Sequence, residues 1–381
     1  MRFSRVALEN WRNFTHVDVA LQNRAFLVGP NASGKSNFLD ALRFLRDLVV
    51  PGGGFQKAVN GPPRGGVSRI RCLAARRYPD IALDVELHNG EEPLWRYRLA
   101  FEQDNIRRPV ITEEKVWRSG EQILNRPDAP DGSDPERLRQ THLEQTFANR
   151  DFREIADFLA SVHYYHLVPQ LVRDPDRSTE RRADPYGSDF LEQIAKTNKR
   201  TRDSRLRRIL GALKVAVPQL QNLELVKDER GVPHLRGNYE HWRPKGAWLS
   251  ETDFSDGTLR LMGLLWSLLD GSGPLLLEEP ELSLHPGIIE HIPQMMLRAQ
   301  QRARTPRQVL LSTHSSDLLQ DEGIAPDEVL LFIPSSEGST VKVGADIEEV
   351  RTLLKEGLTV AEVVIPRTQP ENAQQLSMLG D

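Results

Sequence analysis

The first part of the chain alternates apolar and polar positions and then changes to helical spacing. Residues 3–8 and 17–21 carry strand patterns, and an apolar strand at 24–28 runs straight into a glycine-containing loop. Residues 37–50 predict a helix, because apolar residues recur there at helical spacing: Phe38, Leu39, Leu42, Leu45 and Leu48. The order strand, glycine loop, helix predicts the beginning of an α/β domain.

The middle and end of the chain alternate between strand and helix patterns. Residues 81–87 and 95–101 flank an Asn89-Gly90 turn and predict a β-hairpin, to which 110–118 add a third strand. Residues 126–136, rich in Pro, Asp and Gly, predict an exposed loop. Further helices are predicted at 151–160, within 188–216 and at 259–269. Further strands are predicted at 162–168, within 222–248, and at 275–277, 309–312, 329–333 and 341–343.

The amino-acid composition is typical of a globular protein with little net charge. The 381 residues include 50 Lys+Arg and 54 Asp+Glu, a net charge of −4, so binding of nucleic acid by bulk charge is disfavoured while a local basic patch stays open. No apolar run approaches the roughly 20 residues of a membrane span, and the first residues lack a signal-peptide core. The single cysteine, Cys72, excludes a disulfide framework and a cysteine zinc cluster, which favours a reducing, cytoplasmic location.

The glycine loop matches the pattern G-x-x-x-x-G-K-[ST] between a predicted strand and a predicted helix. It comprises Gly29-Pro30-Asn31-Ala32-Ser33-Gly34-Lys35-Ser36 and continues into Asn37. Backbone N–H groups of such a loop can surround phosphate oxygens, Lys35 can bind the β- and γ-phosphates, and the Ser36 hydroxyl can bind Mg²⁺. The alternative is a glycine-rich turn with an incidental lysine, which the flanking strand and helix disfavour.

Acidic residues follow the apolar strand at 275–277, in the order Glu278-Glu279-Pro280-Glu281. Carboxylates at the carboxyl end of a strand in an α/β sheet are expected beside the phosphate loop. Glu278 would then hold Mg²⁺, and Glu279 would orient and polarise the attacking water. His314, at the end of the strand at 309–312, could reach a γ-phosphate, although a packed structural histidine is the alternative.

A short segment before the helix at 259–269 forms a second candidate anion site. Ser255 is a suitable N-cap, and the simple interpretation is a capped helix start. Ser255 and Gly257 at a helix N-terminus could also bind a nucleotide held by another subunit.

The order of these motifs, with the opening Leu8-Glu9-Asn10-Trp11-Arg12-Asn13-Phe14, resembles a known group of ATPases. It is similar to the ABC-type ATPase heads of the structural-maintenance-of-chromosomes (SMC), RecF and overcoming-lysogenization-defect (OLD) group, and most to stand-alone OLD-like ATPases. The resemblance implies an α/β P-loop NTPase fold: a split ABC-type head with a mixed central sheet, an antiparallel β lobe and a helical insertion. We accordingly predict an N-terminal lobe at 1–172, an inserted lobe at 173–250, a C-terminal lobe at 251–366 and a polar tail at 367–381.

The resemblance also implies roles for individual residues. Gly29 to Ser36 become the Walker A motif, and Ser255, Gly257 and Arg260 become the signature. Glu278 becomes the Walker B acid, Glu279 the catalytic glutamate and His314 the switch histidine. Gln170 resembles the glutamine that senses Mg²⁺. With ATP and Mg²⁺ as cofactors, Ser255 and Gly257 would act in trans across a homodimer or a higher even oligomer.

Three departures from the group affect the expected role. Glu278 replaces the commoner Asp, no long coiled coil fits between the motifs, and no TOPRIM-like acidic pattern follows His314. We therefore expect no nuclease activity in this chain. The favoured role is the ATPase subunit of a phage or plasmid defence system with a separately encoded effector, a nuclease or toxin. A RecF-like DNA-repair ATPase is the alternative, while a transport ATPase and an ATP-holding scaffold are less favoured.

A basic run is the candidate contact for double-stranded DNA. It comprises Lys196, Lys199, Arg200, Arg202, Arg205, Arg207 and Arg208. A second cluster comprises Arg64, Arg69, Arg71, Arg76 and Arg77. The alternative interpretation of both is a solvated surface or a protein contact.

Overall fold

The computed structural model describes residues 1–75, 80–90, 92–174, 184–242, 246–302 and 306–368. Contacts between residues divide the chain into two compact units. The first takes its described residues from Met1–His163, Ser272–Leu276 and Ala303–Asp381, and the second from Tyr164–Gly271 and Leu277–Arg302. Each unit is therefore assembled from segments that are distant in sequence.

An antiparallel sheet belongs to the first unit. Its strands are β1 (Arg2–Trp11), β2 (Phe14–Ala20), β4 (Ile81–Asn89), β5 (Glu92–Gln103), β6 (Pro109–Arg118) and β7 (Glu121–Arg126). They follow the order β2-β1-β4-β5-β6-β7. Buried residues pair across neighbouring strands, as in Val6–Val19 and Val85–Tyr97, because alternate side chains share one face. The predicted hairpin and its third strand are confirmed.

A mixed sheet contains the strand that precedes the glycine loop. Its strands are β3 (Arg24–Val28), β8 (His163–Tyr165), β12 (Leu275–Glu278), β13 (Val309–Thr313), β14 (Val329–Ser335) and β15 (Gly338–Val343). The order is β15-β14-β3-β13-β12-β8, and β3 runs parallel to both β13 and β14. Two backbone hydrogen bonds within the first unit connect the first residues of β12 and β8 to neighbouring segments. Leu275 N–H donates to Gln308 O, and His163 N–H donates to Pro274 O. The predicted α/β fold with a mixed central sheet is confirmed.

Most helices of the first unit bury apolar residues. They are α1 (Lys35–Val49), α2 (Phe55–Asn60), α3 (Val67–Ile70), α4 (Ala129–Ser133), α5 (Arg153–Ala160), α12 (Glu348–Lys355) and α13 (Val360–Thr368). The five apolar residues predicted at helical spacing in α1 are all buried. Phe44 of α1 stacks on Phe101 of β5, with ring centroids 5.7 Å apart. Helix α1 therefore connects the glycine loop to the core of the first unit.

The second unit has its own helices, antiparallel sheet and core. Its helices are α6 (Pro169–Val172), α7 (Phe190–Lys196), α8 (Lys199–Ala216), α9 (Asp256–Leu269), α10 (Pro286–Ile289) and α11 (Ile292–Arg302). Its sheet strands β9 (Leu220–Lys227), β10 (Pro233–Tyr239) and β11 (Ala247–Ser250) follow the order β11-β10-β9. Buried apolar residues from α7, α8, α9, β9 and β10 form one core cluster.

The segment 126–136 corrects one prediction, because it is not simply an exposed loop. It contains α4, and the side chains of Arg126, Asp131 and the facing Glu114 are fully buried. Arg126 Nη1 lies 2.7 Å from Glu114, and its Nε lies 2.9 Å from Asp131. Mutual neutralisation lets a polar sequence occupy an interior position, which composition alone does not reveal.

The prediction of a second basic cluster is wrong at Arg64. The Arg64 side chain is 1% exposed and pairs with Asp40 at 2.8 Å and with Asp47 at 2.9 Å. Arg76 and Arg77 lie outside the described residues, as does most of the tail at 367–381.

The strand predicted at 162–168 is shorter in the structure, because β8 ends at Tyr165. The division into lobes stays a prediction. In the described part of the chain, no helix combines the length and apolar character needed to cross a bilayer.

Candidate nucleotide site

The glycine loop lies between a buried strand and a long helix. Every residue of β3 is buried, and its last residue, Val28, pairs with Thr313 on one side and Leu331 on the other. Helix α1 begins at Lys35, directly after the loop, and has 15 residues. The predicted succession of strand, loop and helix is therefore confirmed, and the loop lies at the carboxyl ends of parallel strands.

Two loop positions accommodate no side chain. A Cβ at Gly29 would lie 2.7 Å from Phe332 Cβ and from Ser33 Oγ. Gly34 has a φ of 106°, and a Cβ there would lie 2.4 Å from Asn13 Nδ2 and 2.7 Å from Phe14 Cζ. Glycine tolerates both the left-handed backbone and the close approach. Packing in this chain therefore requires the two glycines that the phosphate-loop pattern specifies.

Asn13 connects the opening segment of the chain to the loop. Its Nδ2 donates to Ser33 O at 3.0 Å and to Ser339 Oγ at 2.8 Å, and its Oδ1 accepts from Asn37 Nδ2 at 2.9 Å. One side chain thus holds the loop, the first turn of α1 and β15. No sequence pattern assigned a role to Asn13, although its place in the opening motif was a usable signal.

Lys35 and His314 lie close together in the first unit. Lys35 Nζ donates to Gly29 O at 2.8 Å and to Pro30 O at 3.0 Å, and it lies 3.4 Å from His314 Nδ1. His314 directly follows β13, the strand next to β3. Parallel pairing of these strands brings together a lysine and a histidine that are distant in sequence. A phosphate group bound to Lys35 would therefore have His314 within reach.

Glu278 interacts with β8 in the second unit. The Tyr164 hydroxyl donates a hydrogen bond to Glu278 Oε2, and His166 Nδ1 lies 3.1 Å from the Glu278 carbonyl oxygen. Tyr165 alternates with these residues, and its hydroxyl packs so closely on Gly263 that a Cβ there would lie 2.2 Å from it. The glutamate found in place of aspartate therefore has a specific partner, Tyr164, that sequence analysis missed.

The chain turns sharply after Glu278. Glu279 has a φ of 42°, a left-handed conformation that is uncommon outside glycine, and Ser283 has a φ of 62°. Burial lowers the pKa of Arg260, and the carboxylates of Asp256, Glu279 and Glu281 oppose that shift. The arginine of the signature therefore lies within electrostatic range of the proposed catalytic glutamate.

The signature segment forms a capped helix start, as predicted. Ser255 Oγ accepts a hydrogen bond from Thr258 N–H at 3.2 Å and lies 2.8 Å from Thr258 Oγ1. A Cβ at Gly257 would lie 2.6 Å from the carbonyl oxygen of Ser283. Close packing within the same unit is thus one physical reason for this glycine, separate from any contact with a second subunit.

Gln170 and Arg173 contact the signature segment. Gln170 Nε2 donates to Asp256 Oδ2 at 3.3 Å. Arg173 Nη2 lies 2.6 Å from Asp256 Oδ1 and donates to Phe254 O at 2.6 Å. No sequence motif pointed to Arg173, because its partners follow about 80 residues later.

The basic run occupies the end of α7 and the first half of α8. Lys199, Arg200, Arg207 and Arg208 are exposed, whereas Arg205 is half-buried. Arg205 pairs with Asp270 at 2.6 Å and lies over the Trp266 ring at 5.2 Å. Lys196 pairs with Glu192 at 3.1 Å, and Arg202 lies 3.5 Å from Asp203. Part of the predicted patch is therefore engaged in contacts within the protein.

The predicted site residues fall into two groups, one in each unit. The first unit contains the phosphate loop, Asn37 and His314. The second contains Gln170, Ser255, Gly257, Glu278 and Glu279. Within the first group the structure brings Lys35 to His314; within the second it brings Gln170 to the signature segment and Glu278 to Tyr164.

The fold resembles that of Smc head domains, and two solved structures of such heads match it over most of their length. An Smc head bound to the C-winged helix domain of ScpA matches with a TM-score of 0.57 and 13% identity, covering 90% of this chain and 98% of that one. An Smc head with an extended coiled coil, bound to the C-terminal domain of ScpA derived from Pyrococcus furiosus, matches with a TM-score of 0.52 and 11% identity. It covers 93% of this chain and 99% of that one. At these identities the likeness concerns the fold alone.

The family is defined by sequence. Residues 24–320 match the family described as "AAA domain, putative AbiEii toxin, Type IV TA system", and the chain belongs to this AAA family. A curated relative, Endonuclease GajA of Bacillus cereus (strain VD045), is 45% identical over 58 residues. That match covers 15% of this chain and 10% of GajA, so the chain spans only about a tenth of the relative's length.

Proposed function

We propose that the protein is a Mg²⁺-dependent ATPase that acts as an ATP-gated dimeric switch. The observation that carries this proposal is the phosphate loop of the first unit. There, Lys35 Nζ lies 3.4 Å from His314, and the glycines at 29 and 34 admit no Cβ. Membership of an AAA family supports nucleotide binding by the same loop.

The start of α1 suits a bound triphosphate. Among the described residues no side chain caps the N-terminus of α1, and its first turn, Lys35–Phe38, contains no carboxylate. Its first N–H groups and its dipole therefore favour a bound anion. Bound Mg²⁺ would neutralise charge on the β- and γ-phosphate oxygens. From the motifs alone, we propose Ser36 and Glu278 as its ligands and Gln170 as its sensor.

Each proposed catalytic residue has a separate task in cis. Lys35 binds the β- and γ-phosphates, and His314 donates a hydrogen bond to the γ-phosphate. Glu279 orients a water molecule and accepts its proton on a carboxylate oxygen. Phosphoryl transfer depends mainly on positioning and charge neutralisation, which these groups are suited to supply.

Ser255 and Gly257 act in trans on the nucleotide of a second copy. The Ser255 oxygen accepts from Thr258 N–H. It also lies 2.8 Å from Thr258 Oγ1, and with the Thr258 hydroxyl as the donor of that pair the Ser255 hydroxyl keeps its hydrogen for a phosphate. ATP would favour the closed dimer because only that state adds the second subunit's contacts. Hydrolysis removes the γ-phosphate and with it this preference.

The biological role we propose is the ATPase subunit of a phage or plasmid defence system with a separately encoded nuclease or toxin. The family description names a toxin and a type IV toxin–antitoxin system, and the curated relative is an endonuclease. The match covers only a tenth of that endonuclease, so its activity is not carried over to this chain, and we propose a separately encoded effector for the nuclease or toxin step.

The second candidate role is a RecF-like ATPase that binds double-stranded DNA. The observation that favours it is the exposure of four cations, Lys199, Arg200, Arg207 and Arg208, on one helix. Neutralisation of several phosphates would make such binding strongly dependent on salt.

ATP turnover of the purified protein with Mg²⁺ tests the ATPase proposal. Wild type is compared with Glu279→Gln and Lys35→Ala, and oligomeric state is measured by light scattering with and without ATP. We expect Glu279→Gln to bind ATP, to lose about 10²–10³-fold in turnover and to accumulate as a dimer, because positioning of water is removed while binding is kept. Lys35→Ala should neither turn over nor dimerise.

Wild-type turnover by Glu279→Gln would contradict the role given to that residue. The two biological roles are separated by adding duplex DNA at physiological salt. Turnover that is indifferent to DNA supports a protein effector as the partner. Turnover that rises with DNA and falls steeply with salt supports the RecF-like alternative.

A further inference from the structure

Arg173 binds both neighbours of the signature serine. Its Nη2 donates to the carbonyl oxygen of Phe254 at 2.6 Å and lies 2.6 Å from Asp256 Oδ1. Phe254 and Asp256 are the residues immediately before and after Ser255. One guanidinium nitrogen therefore contacts the chain on both sides of Ser255, at the point where the extended backbone ends and α9 begins.

The remaining contacts hold the same segment from other directions. The Phe254 side chain is buried in the core of the second unit. Gln170 Nε2 donates to the second carboxylate oxygen of Asp256 at 3.3 Å, so each oxygen of Asp256 has one partner from the 169–173 segment. Ser255 itself caps Thr258. The backbone on both sides of the Ser255 hydroxyl is thus constrained.

These contacts are suited to orientation more than to stability. The side chains of Arg173 and Asp256 are 24% and 40% exposed, and ion pairs with this exposure contribute little to folding. A serine that must present its hydroxyl to a phosphate on another molecule needs a defined backbone, because small displacements of a positioning group reduce rates strongly.

We propose that Arg173 is a positioning residue that holds Ser255 in the orientation required to engage the nucleotide of a second copy of this chain. The inference rests on the proposed function, since it assumes that the signature acts in trans. It adds to that function a residue outside the recognised motifs. It also gives Asp256 a purpose, as the charged anchor to which Arg173 binds.

The first test compares Arg173→Ala, Arg173→Lys and a control arginine variant, Arg230→Ala, whose side chain is exposed on the turn between β9 and β10. We expect Arg173→Ala to keep the wild-type melting temperature and the wild-type affinity for a fluorescent ATP analogue as a monomer. Turnover and ATP-dependent dimerisation should fall by about 10–100-fold. Lysine keeps the positive charge and can still donate hydrogen bonds, but it lacks the planar guanidinium, so Arg173→Lys should restore part of the activity. Arg230→Ala should resemble wild type.

Mixing two inactive variants tests whether Arg173 acts in trans. A dimer of one Arg173→Ala chain and one Lys35→Ala chain contains one site with an intact phosphate loop and an intact facing signature. Mixing should therefore restore turnover, because both defects then lie at the other site. The reference mixture is Ser255→Ala with Lys35→Ala, which should be restored in the same way.

The outcomes separate the inference from the proposed function. Restoration in both mixtures supports both. Restoration in the reference mixture alone means that Arg173 acts on the nucleotide of its own chain, and this overturns the inference while the shared interface stands. Failure of both mixtures contradicts the shared interface and overturns the inference with it. Unchanged turnover in Arg173→Ala also overturns the inference.

Discussion

Two helix N-termini in this protein have opposite designs. The N-terminus of α1 follows Gly34, whose φ is 106°, and among the described residues it receives no side-chain cap. The N-terminus of α9 is capped by Ser255 and carries Asp256 in its first turn. The first leaves N–H groups and positive dipole for a ligand, whereas the second satisfies part of its own requirement.

The difference extends to what holds each N-terminus in place. The loop before α1 is held by the neutral side chain of Asn13, which crosses from the opening segment. The segment before α9 is held by the charged pair of Arg173 and Asp256. A carboxylate beside α1 would compete with phosphate, while beside α9 it provides an anchor. We therefore interpret α1 as the primary nucleotide site and α9 as a surface that contributes only one hydroxyl and one glycine.

The largest effect is expected when the cation at the start of α1 is removed, which tests whether α1 is the nucleotide site. Lys35→Ala should reduce ATP turnover by about 10²–10³-fold or more, because a preorganised charge at the phosphates is lost. The matched control is Lys57→Ala, an exposed lysine whose Nζ donates to Gly52 O in the same unit. Steady-state turnover at saturating Mg²⁺ is the measurement. A Lys35→Ala protein as active as the control would mean that α1 is not the catalytic nucleotide site.

The next effect concerns the backbone of the loop. Gly34→Ala combines a left-handed φ with contacts below 3 Å to Asn13 and Phe14, and should lower the free energy of unfolding by about 1–3 kcal/mol. ATP binding should weaken with it. Gly52→Ala is the control, since its φ is 77° but a Cβ there meets no atom of the described residues within 4 Å. Equal destabilisation of both variants in urea unfolding would show that conformation, and not packing on Asn13, determines the cost.

Asn13→Ala sharpens the comparison by removing the neutral side chain that holds the loop. The Ser33 carbonyl and the Asn37 amide then lose a partner in a partly buried region, and we expect a loss of about 1–3 kcal/mol in unfolding free energy. KM for ATP should rise more than kcat falls, because the loop loses order before nucleotide binds. Asn125→Ala, exposed on β7, is the control and should change stability by less than about 0.5 kcal/mol. An unchanged KM in Asn13→Ala would restrict Asn13 to a structural role.

The smallest stability effect is expected at the N-terminus of α9. Ser255→Ala removes the cap and should lower the unfolding free energy by about 0.5–2 kcal/mol, whereas Ser255→Asn keeps a capping oxygen and should stay close to wild type. Both variants lose the hydroxyl, so both should lose ATP-dependent dimerisation. If Ser255→Ala dimerises normally with ATP, the serine serves only as a cap, and the proposed contact in trans is contradicted.

Local sequence was enough to predict much of the fold. The loop pattern, the apolar spacing of α1 and the alternation around Asn89-Gly90 are short-range signals, and each determines structure over fewer than about 20 residues. The Ser255 cap belongs to the same class, since its partner lies three residues away. Predictions were wrong where a charged residue was assumed to be exposed without regard to its partner. Arg64 and Arg126 look like surface residues until their carboxylate partners are known.

The assignment of site residues divides along the same line. The residue types at Lys35, Glu279 and His314 could be chosen from sequence because motifs specify them, and their roles stay predictions. The partners of these groups could not be chosen. Tyr164 reaches Glu278 across strands that are over 100 residues apart in sequence, and Arg173 reaches the signature across about 80. No local pattern encodes such contacts.

The fold class, the phosphate loop and the capped start of α9 could be inferred from the sequence alone, because they depend on backbone conformation, side-chain volume and hydrogen bonds between close neighbours. The contacts of Lys35 with His314, of Asn13 with the loop, and of Arg173 with both neighbours of Ser255 are seen only in the folded chain. The physical reason is that these pairs form through strand pairing and packing between segments far apart in the chain, so their geometry exists only after the whole unit has folded.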